Sequence, residues 1–327
     1  MLTVNIYTSG IKQKKASKIT NGASNELYIA TTQPKNYILG TYLYYDNNIY
    51  EKKLKDVDYE IDDICGTPFG KLFTFYSEFG IGSLKSKVYG YELKEENTIK
   101  LKDSSGYASS SSYDFTNGRI YSCWNNFEGE SDKSGVSVIN AEKMELENNI
   151  DTTLPNRSDT VFYSAYNYIS NTLYLSDYNG WSIVPISIKD SKALDPIIVN
   201  SLSEPAGITV HEKKGILFVA VYGAEGTFVH KYDLNNNNDF LGRYRTPRAF
   251  TLLSDDEYLY VIGVNTFSIY SINDDSLLYS KDIPNGAYFE DGKSAVSAAV
   301  INKLTRTIHM LDCDGIHGNI VTIEIRD

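Results

Sequence analysis

The stretch Gly207-Ile208-Thr209-Val210-His211-Glu212-Lys213-Lys214-Gly215-Ile216-Leu217-Phe218-Val219 carries the plan of the whole chain. A short run of small and β-branched residues leads into a polar turn ending in glycine. An aliphatic–aromatic pair, Leu217-Phe218, then opens an apolar segment. Val, Ile, Thr and Phe suit a pleated, half-buried surface. Residues 211–215 are of the kinds that punctuate tight turns. The stretch reads as two strands of a hairpin.

The phrase recurs outward in both directions. Its aliphatic–aromatic pair appears as Leu27-Tyr28, Leu72-Phe73, Ile120-Tyr121, Leu173-Tyr174, Leu217-Phe218, Leu259-Tyr260 and, with histidine in the aromatic place, Ile308-His309. The copies are 42 to 53 residues apart, a length that fits a four-stranded propeller blade better than any helical repeat. Small or β-branched runs such as Ala249-Phe250-Thr251-Leu252 precede the turn, as an innermost strand requires. Alternating runs such as Val88-Tyr89-Gly90-Tyr91-Glu92-Leu93 follow as a third strand, and polar ones such as Thr98-Ile99-Lys100-Leu101 as a fourth.

The ends sharpen this pattern. The last copy stops at Asp327 after its third strand, and residues 2–7 form an extra strand that belongs to no copy. Lending that strand to the last copy closes a ring and leaves no blade incomplete. The expectation is an all-β chain, a seven-bladed β-propeller whose last blade is completed by the N-terminal strand. It forms a single domain over 1–327, with blades near 18–55, 59–103, 107–151, 160–202, 206–245, 248–283 and 294–327. A pair of β-sandwich domains is the alternative, and the repeat count disfavours it. Residues 12–19 and 141–148 are the places where a turn or two of helix fits.

Composition narrows the function classes. The 27 tyrosines suit strands whose rings pack while their hydroxyls stay wet. The formal charge of −11 repels phosphate backbones, so no nucleic acid is expected as a partner. The cluster from Lys12 to Lys18 reads as a solvated loop. No run approaches the ~20 apolar residues that span a bilayer, so no membrane is expected. The start lacks the basic, then apolar, pattern of a signal peptide. Cys65, Cys123 and Cys313 are odd in number and far apart, reading as reduced thiols of a cytoplasmic protein. No metal-ligand cluster, phosphate loop or nucleophile elbow is present, so neither a metal nor a cofactor is expected.

In a propeller the fourth-to-first and second-to-third strand loops meet at one mouth of the axial channel, the default binding funnel. The strand reading places Glu204, Arg157 and Arg248 there as catalytic candidates. Tyr222, Asn265, Asp177 and His317 are placed there as substrate-binding candidates. Arg157 and Arg248, each just ahead of an inner strand, are suited to a carboxylate or phosphate through paired hydrogen bonds. Glu204 could serve as general base if burial raised its pKa. Asp177, Asp312 and Asp314 would suit a hard cation if they met in space.

The stretch from Glu204 to Val219 resembles the lactonase-type seven-bladed propellers. That family includes 6-phosphogluconolactonases of one bacterial type and fungal carboxy-cis,cis-muconate cyclases. Their blades carry a proline near the inner strand, a His-Pro-x-Gly-Lys turn and a Leu-Tyr-Val strand. The opening Ile6-Tyr7-Thr8-Ser9-Gly10 is similar to the Gly-Thr-Tyr-Thr-Ser-Gly start of some members. The resemblance runs through the chain in blade order and implies a lactone hydrolase or a lactonizing isomerase. The chain departs from the cyclases at their functional positions. Residues 159–163 carry no histidine, Ala206 stands where they have arginine, Tyr222 stands near their glutamate, and the blade-six arginine is missing around Val264 and Asn265. Two functions remain open at this point. One is an enzyme acting on a small carboxylated lactone or its open form, with a small anionic metabolite as partner. The other is a non-catalytic propeller that binds a protein or small ligand on its top face.

Overall fold

The strand-forming phrases become blades arranged around an axis. The computed structural model describes residues 2–11, 16–33, 36–78, 83–103, 106–126, 133–152, 161–177, 180–199, 203–223, 226–246, 249–263, 266–283, 299–312 and 319–326. The first strand, β1 (Thr3–Gly10), stands apart. Blade one is β2 (Ala16–Asn21), β3 (Glu26–Gln33), β4 (Asn36–Tyr45) and β5 (Asn48–Val57). Blade two is β6 (Asp63–Gly66), β7 (Leu72–Glu78), β8 (Ser83–Tyr89) and β9 (Glu95–Lys102). Blade three is β10 (Gly106–Asp114), β11 (Arg119–Asn126), β12 (Lys133–Asn140) and β13 (Glu145–Thr152). Blade four is β14 (Val161–Asn167), β15 (Thr172–Asp177) and β16 (Ser182–Ser187), with two short outer pieces, β17 (Lys192–Ala193) and β18 (Ile197–Ile198). Blade five is β19 (Ser203–His211), β20 (Ile216–Gly223), β21 (Gly226–Asp233) and β22 (Asp239–Arg245). Blade six is β23 (Ala249–Ser254), β24 (Tyr258–Gly263), β25 (Thr266–Ser271) and β26 (Leu277–Asp282). Blade seven is β27 (Ala299–Asn302), β28 (Thr307–Asp312) and β29 (Asn319–Arg326), with β1 on its outer edge.

The ring closes as the chain ends suggested. β1 pairs antiparallel with β29 in unbroken register, from Thr3 opposite Arg326 to Gly10 opposite Asn319. Leu2, Val4 and Ile6 pack against the buried cluster of Tyr260, Phe267, Ile308 and Ile323 between blades six and seven. The apolar core thus lies between blades rather than within them, and each innermost strand touches the next around the axis.

Two irregularities repeat with the blades. A bulge interrupts the innermost strand at one level in five of them, between Ala16 and Lys18, Ala108 and Ser110, Val161 and Tyr163, Pro205 and Ile208, and Ala249 and Thr251. Bulges add local twist and re-aim side chains. The crowding near the axis shows at two glycines. A Cβ on Gly66 would lie 1.9 Å from the Asn21 carbonyl oxygen, and one on Gly207 would lie 2.3 Å from that of Phe250.

The first-to-second strand turns repeat a second device. Asp114 Oδ1 accepts from the Thr116 and Asn117 amides, and Asp255 Oδ1 from those of Glu257 and Tyr258. Asn167 and Asn302 act likewise. In blade five His211 takes this place: Nδ1 accepts from the Lys214 amide at 3.1 Å, which leaves Nε2 to donate to the Asp256 carbonyl. The aromatic of the repeated phrase braces the turn, since Tyr121 donates to Asp114 and Tyr260 to Asp255.

Three expectations change. Residues 16–21 form β2, and Lys18 is buried in it rather than in a solvated loop, because the bulge turns its side chain into the protein. No helix forms at 141–148, where a turn leads into β13. The helical element among the described residues is a single 3-10 turn, Tyr91–Leu93. Glu204, Asp177 and Tyr222 lie inside strands, because the inner and second strands run further toward the top face than the loops drawn from sequence.

Candidate functional site

Of the seven residues named from sequence, Arg157, Arg248, Asn265 and His317 lie outside the described residues, as do Cys313 and Asp314. Glu204 and Tyr222 are brought together as cross-strand partners between β19 and β20 on the upper part of blade five. Glu204 is half-buried. The Tyr222 hydroxyl donates to the Ala249 carbonyl at the top of blade six, and its ring sits 5.5 Å from that of Phe250. Asp177, in blade four, is fully buried. Its carboxylate accepts from the Gly180 amide at 2.8 Å and the Ser182 hydroxyl at 3.3 Å, so it shapes its own loop. Among the described residues, no group of three or more His, Cys, Asp or Glu side chains is placed to hold a metal ion.

Another set of charged groups converges on the axis. Lys18 of β2 and Asp63 of β6 occupy the same level of neighbouring inner strands, each opposite the third residue after the aliphatic of its blade's phrase. Lys18 Nζ lies 3.5 Å from Asp63 Oδ1, and both side chains are buried. The Ser111 hydroxyl, from β10, donates to Asp63 Oδ2 at 2.6 Å. One residue above, Asp62 Oδ2 accepts from the Ala108 amide at 3.4 Å. Three consecutive blades therefore meet at this cluster.

Asp62 is half-buried. Burial pushes its carboxyl up to about 7. The charges of Glu60 and Asp63 push the same way, against the pull of the Ala108 amide and Lys18. A carboxyl that titrates near neutrality can accept and return a proton at physiological pH. Tyr107, at the start of β10, completes the neighbourhood, with burial raising its hydroxyl to about 12. Sequence reading took Lys18 for part of a solvated loop and passed over Asp62 and Asp63, because neither stands in a recognisable motif. The available signal was that Lys18 and Asp63 fall at the same offset from their repeated phrases, with Asp62 next to Asp63.

The rest of the channel has a different character. A cavity of about 520 Å³ runs down the side formed by blades three to six and reaches the face made by the first-to-second strand turns. Its walls combine hydroxyls, from Ser110, Ser112, Ser164, Thr209 and Thr251, with apolar side chains such as Ala165, Val210 and Leu253. His230 and His309 are held neutral by burial, each with its pKa lowered to about 4.

Comparison by sequence with protein-family models and with curated proteins finds no match. Comparison by structure finds similar folds. A protein from Lactobacillus plantarum superposes with a TM-score of 0.64 at 10% identity, over 83% of this chain and 86% of that one. The hydrazine synthase of Kuenenia stuttgartiensis superposes with a TM-score of 0.73 at 12% identity, over 96% of this chain and 97% of that one. At such identities the likeness is one of fold, and the fold it supports is the seven-bladed β-propeller.

Proposed function

We propose that this propeller is a lactone-acting enzyme for a small anionic substrate, working at the top end of the axial channel. The observation that carries the reading is Asp62, a half-buried carboxyl whose pKa burial lifts to about 7, beside the buried Lys18–Asp63 pair. Asp62, rather than Glu204, is the general base. It takes a proton from water as the oxygen bonds to the lactone carbonyl carbon. It returns that proton to the ring oxygen as the carbon–oxygen bond breaks, so no net proton is consumed in the step. Lys18 and Asp63 hold Asp62 in its charge environment. Arg157 and Arg248 take the substrate's carboxylate or phosphate, and Glu204 and Tyr222 form the wall on the blade-five side. The resemblance of residues 204–219 to lactonase-type propellers supports the reaction class.

The test is turnover of a panel of sugar-acid lactones and carboxylated muconates. The expected result is a rate that rises with pH through about 7 and is lost in Asp62→Asn. Arg157→Ala and Arg248→Ala should raise KM. An Asp62→Asn variant as active as the parent protein would sink the assignment. The departures from the cyclases at their functional positions favour a second reading, a top face that docks a protein partner. Absence of turnover across the panel would favour it.

A further inference from the structure

We infer that the hydroxyl-lined cavity of the axial channel is a second binding site, on the face opposite the proposed catalytic one, for a neutral polyhydroxylated ring such as a hexopyranoside. At about 520 Å³ it lies within the ~300–1,000 Å³ typical of small-molecule sites. Its depth is built from hydroxyls on four inner strands. Ser164 lies 2.8 Å from Ser110 and 3.2 Å from Ser112, and Thr209 lies 3.0 Å from Ser254. Each hydroxyl offers one donor and two acceptor positions. These mutual bonds leave capacity for a ligand that both donates and accepts, which describes a sugar hydroxyl.

The mouth has the complementary chemistry. Phe115 and Tyr168 line it and are 81% and 44% exposed, on turns where a solvated polar residue would be the ordinary choice. Tyr113 stands edge-on to Phe115 at 5.0 Å and to Phe69 at 6.2 Å, so the rim is an aromatic platform rather than one stray ring. Flat aromatic faces pack well against the carbon–hydrogen face of a pyranose, which is apolar where its rim is polar. The formal charges at the mouth cancel: Lys303 Nζ lies 3.6 Å from Glu212 Oε1. Glu212 and Lys303 are the charged side chains among the lining residues, so the mouth carries no net formal charge to favour an ion. The cavity therefore selects a neutral ligand, whereas the opposite mouth is proposed for an anionic one.

The experiment is saturation-transfer NMR and calorimetric titration of the full chain with methyl glucopyranoside, methyl galactopyranoside, maltose and cellobiose, with gluconate as the charged control. At least one neutral sugar should bind, at least ten-fold more tightly than gluconate. Phe115→Ala and Tyr168→Ala should each weaken it ten-fold or more with an unchanged Tm, because both rings are exposed. Ser164→Val, which fills the site and removes its central hydroxyl, should abolish binding. Thr305→Ala, a polar change elsewhere on the same face, should leave it unaltered, and the Asp62→Asn variant should bind as the parent does. Failure of all four sugars to bind, equal binding of gluconate, or binding indifferent to Phe115→Ala would overturn the inference. So would loss of the rim's exposure through self-association of the chain, seen as a mass that rises with concentration and returns to monomer in Phe115→Ala.

Discussion

Lys18 and Asp63 form an ion pair 3.5 Å apart in the wall of the axial channel, one from the inner strand of blade one and the other from that of blade two. Neither has solvent to replace the other. Removing one partner of a buried pair leaves an uncompensated charge, at ~3–5 kcal/mol, while replacing both with apolar residues is often close to neutral. Asp63→Ala and Lys18→Met should each fall in that range by denaturant unfolding. The double variant should lose far less than the sum. Additive losses would show that the two side chains act independently.

Asp62 makes stability depend on pH in a particular window. Its folded pKa, about 7, lies above that of an unfolded aspartate, so the folded chain holds this proton more tightly. The stabilisation is complete below the ordinary carboxylate value of ~3.9 and is lost as pH rises through about 7. Asp62→Asn does not titrate. The Tm of the variant relative to the parent should therefore climb across that interval and stay high above it. A constant difference between the two curves would rule out the raised pKa.

His309 acts in the opposite sense. It replaces the aromatic of the repeated phrase, is buried with Nδ1 3.0 Å from the Thr322 hydroxyl, and stands edge-on to Tyr44 at 4.8 Å. Burial lowers its pKa to about 4. The stability this confers is present above the unfolded histidine value of ~6.5 and is lost as pH falls toward 4, on the order of 3 kcal/mol in all. His309→Phe, which restores the residue type of the other blades, should flatten the acid limb of the Tm–pH curve. An acid limb unchanged in the variant would assign that loss to other groups.

Deleting residues 1–8 would strip blade seven of the strand that pairs along β29 and uncover the apolar contacts of Leu2, Val4 and Ile6. Tm should fall by on the order of 10 °C. The bare β29 edge should also promote concentration-dependent association. A truncated chain that melts as the parent does would show that the ring holds without its closing strand.

The sequence by itself determined the number of blades, their strand order and the closure by β1. These follow from a periodic pattern of turn residues and apolar pairs, and such patterns are local: each phrase needs only its own neighbours to be read. It also placed Ala249-Phe250-Thr251-Leu252 in an inner strand, since small and β-branched residues are what a crowded axis admits. Which distant residues share a level of the channel follows from the assembled ring alone. Lys18, Asp63 and Ser111 come from three blades, and their meeting depends on the bulges that set each inner strand's register. A bulge moves every following side chain to the other face of the strand, so a reading of alternation cannot tell a buried Lys18 from a solvated one. The burial that lifts Asp62 toward neutrality is likewise a property of the assembled ring, because blades one, two and three supply the walls that exclude bulk water.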